Sequence, residues 1–189
     1  MDPLAKLFGS AARVKLLRLF LFNEDDWYTP SEAAFRAKAG KAAARKEILS
    51  LFAVKVLRKK AGKGGTQYAA NPKFVHYESL RTFLRTSSGV DDQSISHSLK
   101  KVGILRLVVL SGLFTGVPES KIDMLIVGDK LDERTLATVV HALEAELGRE
   151  LRYASFSTED FRYRVGVYDR LVRDVLDYPH RLVIDKIGL

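Results

Sequence analysis

The 189-residue sequence predicts an α+β protein of two domains, residues 1–87 and 88–189. Three observations carry that expectation. Charge is unevenly divided: residues 1–87 hold 17 Lys and Arg against 7 Asp and Glu (net +10), and residues 88–189 hold 14 against 16 (net −2), which sum to the chain's +8. The first part has the pattern of helices followed by a β-hairpin, the second that of strands alternating with helices. Between them, "TSSGVDDQS" is a small, polar break of the kind that separates domains.

Composition excludes several classes. A chain 47% hydrophobic and 29% charged lies outside the disordered range. It has no cysteine, so disulfides and thiolate metal sites are ruled out, and its four histidines show no ligand spacing. No apolar run is long enough to span a bilayer, and the N-terminus lacks the basic-then-apolar order of a secretory signal. A cytoplasmic protein that needs no metal, cofactor or membrane is expected. The basic first domain points to a polyanionic partner.

Within that domain, Ser10 after Gly9 is an N-cap for a helix whose Val14, Leu17, Phe20 and Leu21 recur at helical spacing. "TPSEAAFRAKAGKAAARKEILSLF" holds two more helices. Thr29 and Glu32 have the spacing of a capping box, Pro30 suits the first helical position, and Gly40 breaks the pattern before a helix from about Lys41 to Phe52. "VLRKKAGKGGTQYAANP" then predicts a hairpin with a flexible basic tip. Helix, tight turn, helix and hairpin in this order resemble the winged helix-turn-helix domain of bacterial transcriptional regulators, over about residues 5–75.

That resemblance implies double-stranded DNA as partner, and a homodimer. On the third helix, Lys41, Arg45 and Lys46 fall on a face away from Ile48, Leu51 and Phe52. Arginine there can hold guanine bidentately, and lysine suits phosphate. Lys59, Lys60 and Lys63 flank the hairpin tip, and Thr29 and Ser31 open a helix whose hydroxyl and amide groups can meet a phosphate. The alanine-rich "AGKAAARK" leaves few long side chains to read bases, so modest specificity is expected. The segment "NPKFVHYESLRTFLRTSSG" predicts a connecting amphipathic helix carrying Phe74, Tyr77, Leu80 and Leu84. It either dimerises, as the resemblance implies, or packs on its own domain.

In the second domain, "ILRLVVLSG" and "IDMLIVGD" are strands, joined by a loop holding Gly116 and Pro118. "DERTLATVVHALEAELG" is an amphipathic helix stopped by Gly148. "LRYASFS" is a third strand, helical material follows with Thr158 near its cap, and "HRLVIDK" is a final strand. With its Ser111-Gly112 turn and the strand "KIDMLIVGD", this region resembles the minimal nucleotidyltransferase domain of the polymerase-β-type superfamily over roughly residues 100–189. Bacterial proteins of the same two-part design share both resemblances.

The nucleotidyltransferase family pattern has a Gly-Ser turn and then two carboxylates one residue apart. A third carboxylate lies on a later strand, and together they hold two divalent metals. Here the turn reads Ser-Gly, Lys121 stands at the first carboxylate position, Asp123 is the one matched acid, and "LRYASFS" holds none. Alternation would set Lys121 beside Asp123, where an ammonium would pair with the carboxylate and repel a metal. Glu119 is the one nearby replacement. The expectation is a small mixed-sheet α/β domain that keeps the fold, has lost metal-dependent transfer, and serves oligomerisation or the sensing of a nucleotide or protein ligand. Two alternatives stand beside this regulator: an active nucleotidyltransferase modifying a protein or RNA, in an antitoxin-like arrangement, and a protein-interaction module.

Overall fold

The computed structural model describes residues 3–87, 90–117 and 120–188, and its architecture is mixed α+β. Among those residues no helix is long and apolar enough to cross a membrane. The chain divides into two compact units: Met1–Val90 with His141–Glu150, and Asp91–Val140 with Leu151–Leu189. The expected break near residue 88 falls on Ser88 and Gly89, outside the described residues.

The first unit opens with α1 (Pro3–Leu7) and α2 (Ala11–Phe22), the latter capped by Ser10, whose Oγ accepts from the Arg13 amide at 3.2 Å. Next come α3 (Pro30–Arg36) and α4 (Lys41–Ala53). The capping box at α3 forms in both directions: the Glu32 amide donates to Thr29 Oγ1 (3.3 Å) and the Thr29 amide to Glu32 Oε2 (2.7 Å). Val14, Leu17, Phe20 and Leu21 of α2 and Ala44, Ile48 and Leu51 of α4 share one buried cluster, the outcome of their helical spacing.

Strands β1 (Leu57–Gly62) and β2 (Gly65–Ala70) pair antiparallel around Lys63 and Gly64. Gly64 takes φ 86°, a left-handed conformation that favours glycine. A bridge that sequence patterning did not anticipate joins Tyr28, between α2 and α3, to Tyr68 of β2 through reciprocal amide–carbonyl bonds of 2.9 and 2.8 Å.

Helix α5 (Tyr77–Thr86) starts later than the apolar spacing predicted. Asn71 holds the preceding turn, its carbonyl accepting from Phe74 N and its side chain from Lys73 N, so Phe74 packs from outside the helix. Tyr77 and Leu84 are buried in the core of this same unit and Leu80 is partly buried there, so the helix packs on its own domain.

The second unit contains α6 (Asp92–Leu99), β3 (Ile104–Leu110), β4 (Met124–Asp129), α7 (Glu133–Leu147), β5 (Tyr153–Phe156), α8 (Thr158–Gly166), α9 (Arg170–Asp177) and β6 (Arg181–Asp185). The division between the units falls inside α7, whose residues from His141 on belong with the first. The sheet runs β5-β4-β3-β6, with β4 and β5 parallel and the other pairs antiparallel.

Leu107, Val109, Leu125 and Val127 cluster with Phe161, Val172 and Val175 of α8 and α9, while the alternate residues Val108, Leu110, Met124 and Ile126 are fully buried too. Burial on both sides explains why β3 and β4 are continuous apolar runs. The α8 cap is Ser157, whose Oγ accepts from Asp160 N at 3.0 Å, and Thr158 is the first helical residue.

Candidate nucleic-acid interface

Helix α4 presents two faces. Ala44, Glu47, Ile48 and Leu51 are buried, while Lys41, Ala42, Arg45, Lys46 and Leu49 are exposed. The exposed face lines an open groove of about 930 Å³ together with Thr29, Pro30 and Ser31 at the start of α3 and Gly64, Thr66 and Tyr68 of the hairpin. Five residues expected at such a surface, Thr29, Ser31, Lys41, Arg45 and Lys46, therefore share one concavity. Lys59, Lys60 and Lys63 lie outside its lining.

The hairpin lysines divide by strand alternation. Lys60 Nζ lies 4.1 Å from the centre of the Trp27 ring and Arg58 Cζ 5.0 Å from it, whereas Lys59 Nζ lies 4.7 Å from the Phe52 ring. The ring faces attract these cations and steady their long side chains without cancelling their charge. Lys63, at the turn, is exposed. Trp27, Arg58, Thr66 and Tyr68 were not singled out by sequence patterning. The aromatic pair Trp27-Tyr28 just before the capping box was the available signal, but its partners are set by the tertiary bridge to Tyr68.

The electrostatics of this face follow from which acids reach it. Residues 38–63 contain nine Lys and Arg and a single acid, Glu47. Glu47 is buried and taken by Arg13, whose Nε donates to Oε2 at 2.7 Å. Elsewhere in the unit, Lys15 pairs with Glu146, Arg36 with Glu150 and Arg81 with Glu24. Lys41, Arg45, Lys46 and Lys63 make no ion pair among the described residues.

At the start of α3 the geometry is less suited to an anion. The Thr29 amide is occupied by Glu32, and hydrogen bonds from the Thr29 backbone and side chain hold the Glu32 carboxyl below the usual range, keeping it charged there. Ser31 is exposed.

The loop expected from its sequence to resemble a nucleotidyltransferase site is organised around a different interaction from the expected one. Lys121 does not pair with Asp123. Strand β4 begins only at Met124, so alternation does not extend back to Lys121, which instead reaches Asp174 of α9 at 2.8 Å. Asp123 is buried and receives four hydrogen bonds: Arg152 Nε to Oδ2 (3.0 Å), Arg152 Nη2 to Oδ1 (2.9 Å), the Arg152 amide to Oδ2 (2.9 Å) and the Leu113 amide to Oδ1 (2.8 Å). Burial by itself would raise its pKa; the donated bonds from Arg152 and Leu113 outweigh that and hold it below the ordinary 3.8.

The Ser111-Gly112 turn fits this arrangement. Gly112 sits at φ 48°, and a Cβ there would meet Asp123 Oδ1. Ser111 Oγ and Ser120 Oγ both donate to the Ile122 carbonyl, at 2.6 and 2.7 Å, so the turn's hydroxyls are used inside the loop. Glu119, like Pro118, lies outside the described residues. Among the described residues no group of three His, Cys, Asp or Glu is placed to hold a metal ion.

Arg152 was not singled out from the sequence. The signal lies in the pairing of "LRYASFS" beside β4, where the register sets Tyr153 opposite Met124 and brings Arg152 beside Asp123. Compared with protein-family models, curated proteins and solved structures, the chain gives no match.

Proposed function

We propose that the protein is a DNA-binding transcriptional regulator, acting as a homodimer. Its first unit is read as a winged helix-turn-helix domain and its second as a nucleotidyltransferase-like domain that no longer transfers nucleotides. The observation that carries the reading is the distribution of charge: Lys41, Arg45 and Lys46 make no ion pair among the described residues and line one groove, and the single acid of residues 38–63, Glu47, is buried against Arg13. A surface of unmatched cations along one helix, flanked by a basic hairpin, suits a polyanion with a groove wide enough to admit a helix. The order α2, bridge at Tyr28, α3, α4 and hairpin supports the winged-helix reading.

For the second unit, the saturation of Asp123 supports loss of transfer. A carboxylate already accepting four hydrogen bonds, two of them from a guanidinium, has no free oxygen lone pair directed at a metal. Label transfer from a nucleoside triphosphate with Mg²⁺ or Mn²⁺, abolished by Asp123→Ala, would overturn that part.

The DNA reading is tested by selecting bound fragments from random and genomic duplexes, then measuring affinities by fluorescence anisotropy. An enriched motif is expected. Arg45→Ala should weaken binding to that motif more than to random DNA, by about 1–3 kcal/mol for a bidentate base contact, and Lys63→Ala should weaken both alike. Equal losses for both substitutions would remove base reading from α4.

A further inference from the structure

Leu49 is the anomaly of the cationic face. It is 49% exposed, while its neighbours Ile48 and Leu51 are buried in the core. It lines the same groove as Lys41, Ala42, Arg45 and Lys46. Positions 42, 45 and 49 follow one helical stripe, so small, cationic and apolar groups succeed one another along a single row. A lone surface leucine is ordinary. One standing in line with Arg45, in a groove otherwise suited to a polyanion, calls for a ligand with an apolar atom at a fixed distance from its polar edge. In the major groove that apolar atom is the C5 methyl of thymine.

We infer that Leu49 packs against a thymine methyl group beside the base held by Arg45, so that the row Ala42, Arg45 and Leu49 selects a guanine with a thymine at a set distance. This rests on the DNA-binding reading above and specifies what that site prefers. Ala42 contributes by being small, which lets the first turns of α4 approach the base edges. Four residues of helix rise about 6 Å, and a helix lying along the major groove meets successive bases about every three or four residues. The thymine is therefore expected at the step next to the guanine, on the side toward the C-terminal end of α4.

The test uses the full chain and the duplex that selection enriches. Replacing that thymine by deoxyuridine removes the methyl group and nothing else. Wild-type affinity should fall about fourfold, the change that burial of a group of this size carries. Leu49→Ala, at an exposed position that leaves the core intact, should bind the thymine and uracil duplexes equally and keep its preference for the guanine.

Equal wild-type affinity for the two duplexes, or the same uracil penalty in both proteins, overturns the inference while leaving DNA binding in place. An enriched motif without thymine at that distance also overturns it. Absence of any enriched motif overturns the inference together with the reading it rests on.

Discussion

At the residue scale, the pairing of Asp123 with Arg152 organises the loop that precedes β4. A buried carboxylate needs either a metal or a set of donors, because desolvating it without compensation is costly. Arg152 supplies two bonds through its side chain and one through its amide, and Leu113 supplies the fourth. Removing the guanidinium by Arg152→Ala leaves a buried charge with two amide partners and should cost about 2–3 kcal/mol of stability.

The pH dependence of that loss has a definite sign. Asp123 has a native pKa below its ordinary 3.8, so its contribution is present above about pH 4 and is lost as pH falls through the lowered native value. The gap in denaturant stability between wild type and Arg152→Ala should accordingly narrow below about pH 4. A gap that stays constant from pH 7 to pH 3 would mean that the ionised carboxylate is not what Arg152 stabilises.

At the scale of elements, local signals carried most of the assignment. The capping box at Thr29 and Glu32, the cap at Ser10, and the apolar stripe of α7, where Leu136, Val139, Val140 and Leu143 are buried, were legible because each depends on residues within about one or two turns. The start of α5 was not, since the turn at Asn71 competes with the helix and takes Phe74 out of it. Thr29→Ala tests the cap directly. It removes the acceptor for the Glu32 amide and should cost about 1 kcal/mol in urea denaturation. Because Thr29 Oγ1 is already committed to the Glu32 amide, DNA affinity should change little. A loss of affinity as large as that of Arg45→Ala would instead make Thr29 a DNA contact.

At the scale of the whole molecule, the net charge of +8 is carried by the first unit, where residues 1–90 hold +10 and residues 141–150 contribute −2, while the second unit is neutral by the same count. Affinity for duplex DNA should therefore fall steeply with salt even though the overall charge is moderate. If Lys41, Lys46 and Lys63 each displace a counterion, the slope of log affinity against log salt is about −3 per bound domain, and Lys63→Ala should reduce it by about one. A slope near zero would exclude phosphate contacts as the source of affinity.

The sequence by itself determined the α+β class, the starts of α2, α3 and α4, the hairpin and the cationic row on α4, because these follow from side-chain periodicity and turn chemistry over a few residues. Only the tertiary structure decided which cations remain unmatched and which donor completes Asp123. Glu47 finds Arg13 across 34 residues and Asp123 finds Arg152 across 29, and the second pairing depends on the parallel register of β4 with β5. Charge partners at such separations are chosen by packing, so the loop spacing that suggested Lys121 as the partner of Asp123 could not identify Arg152.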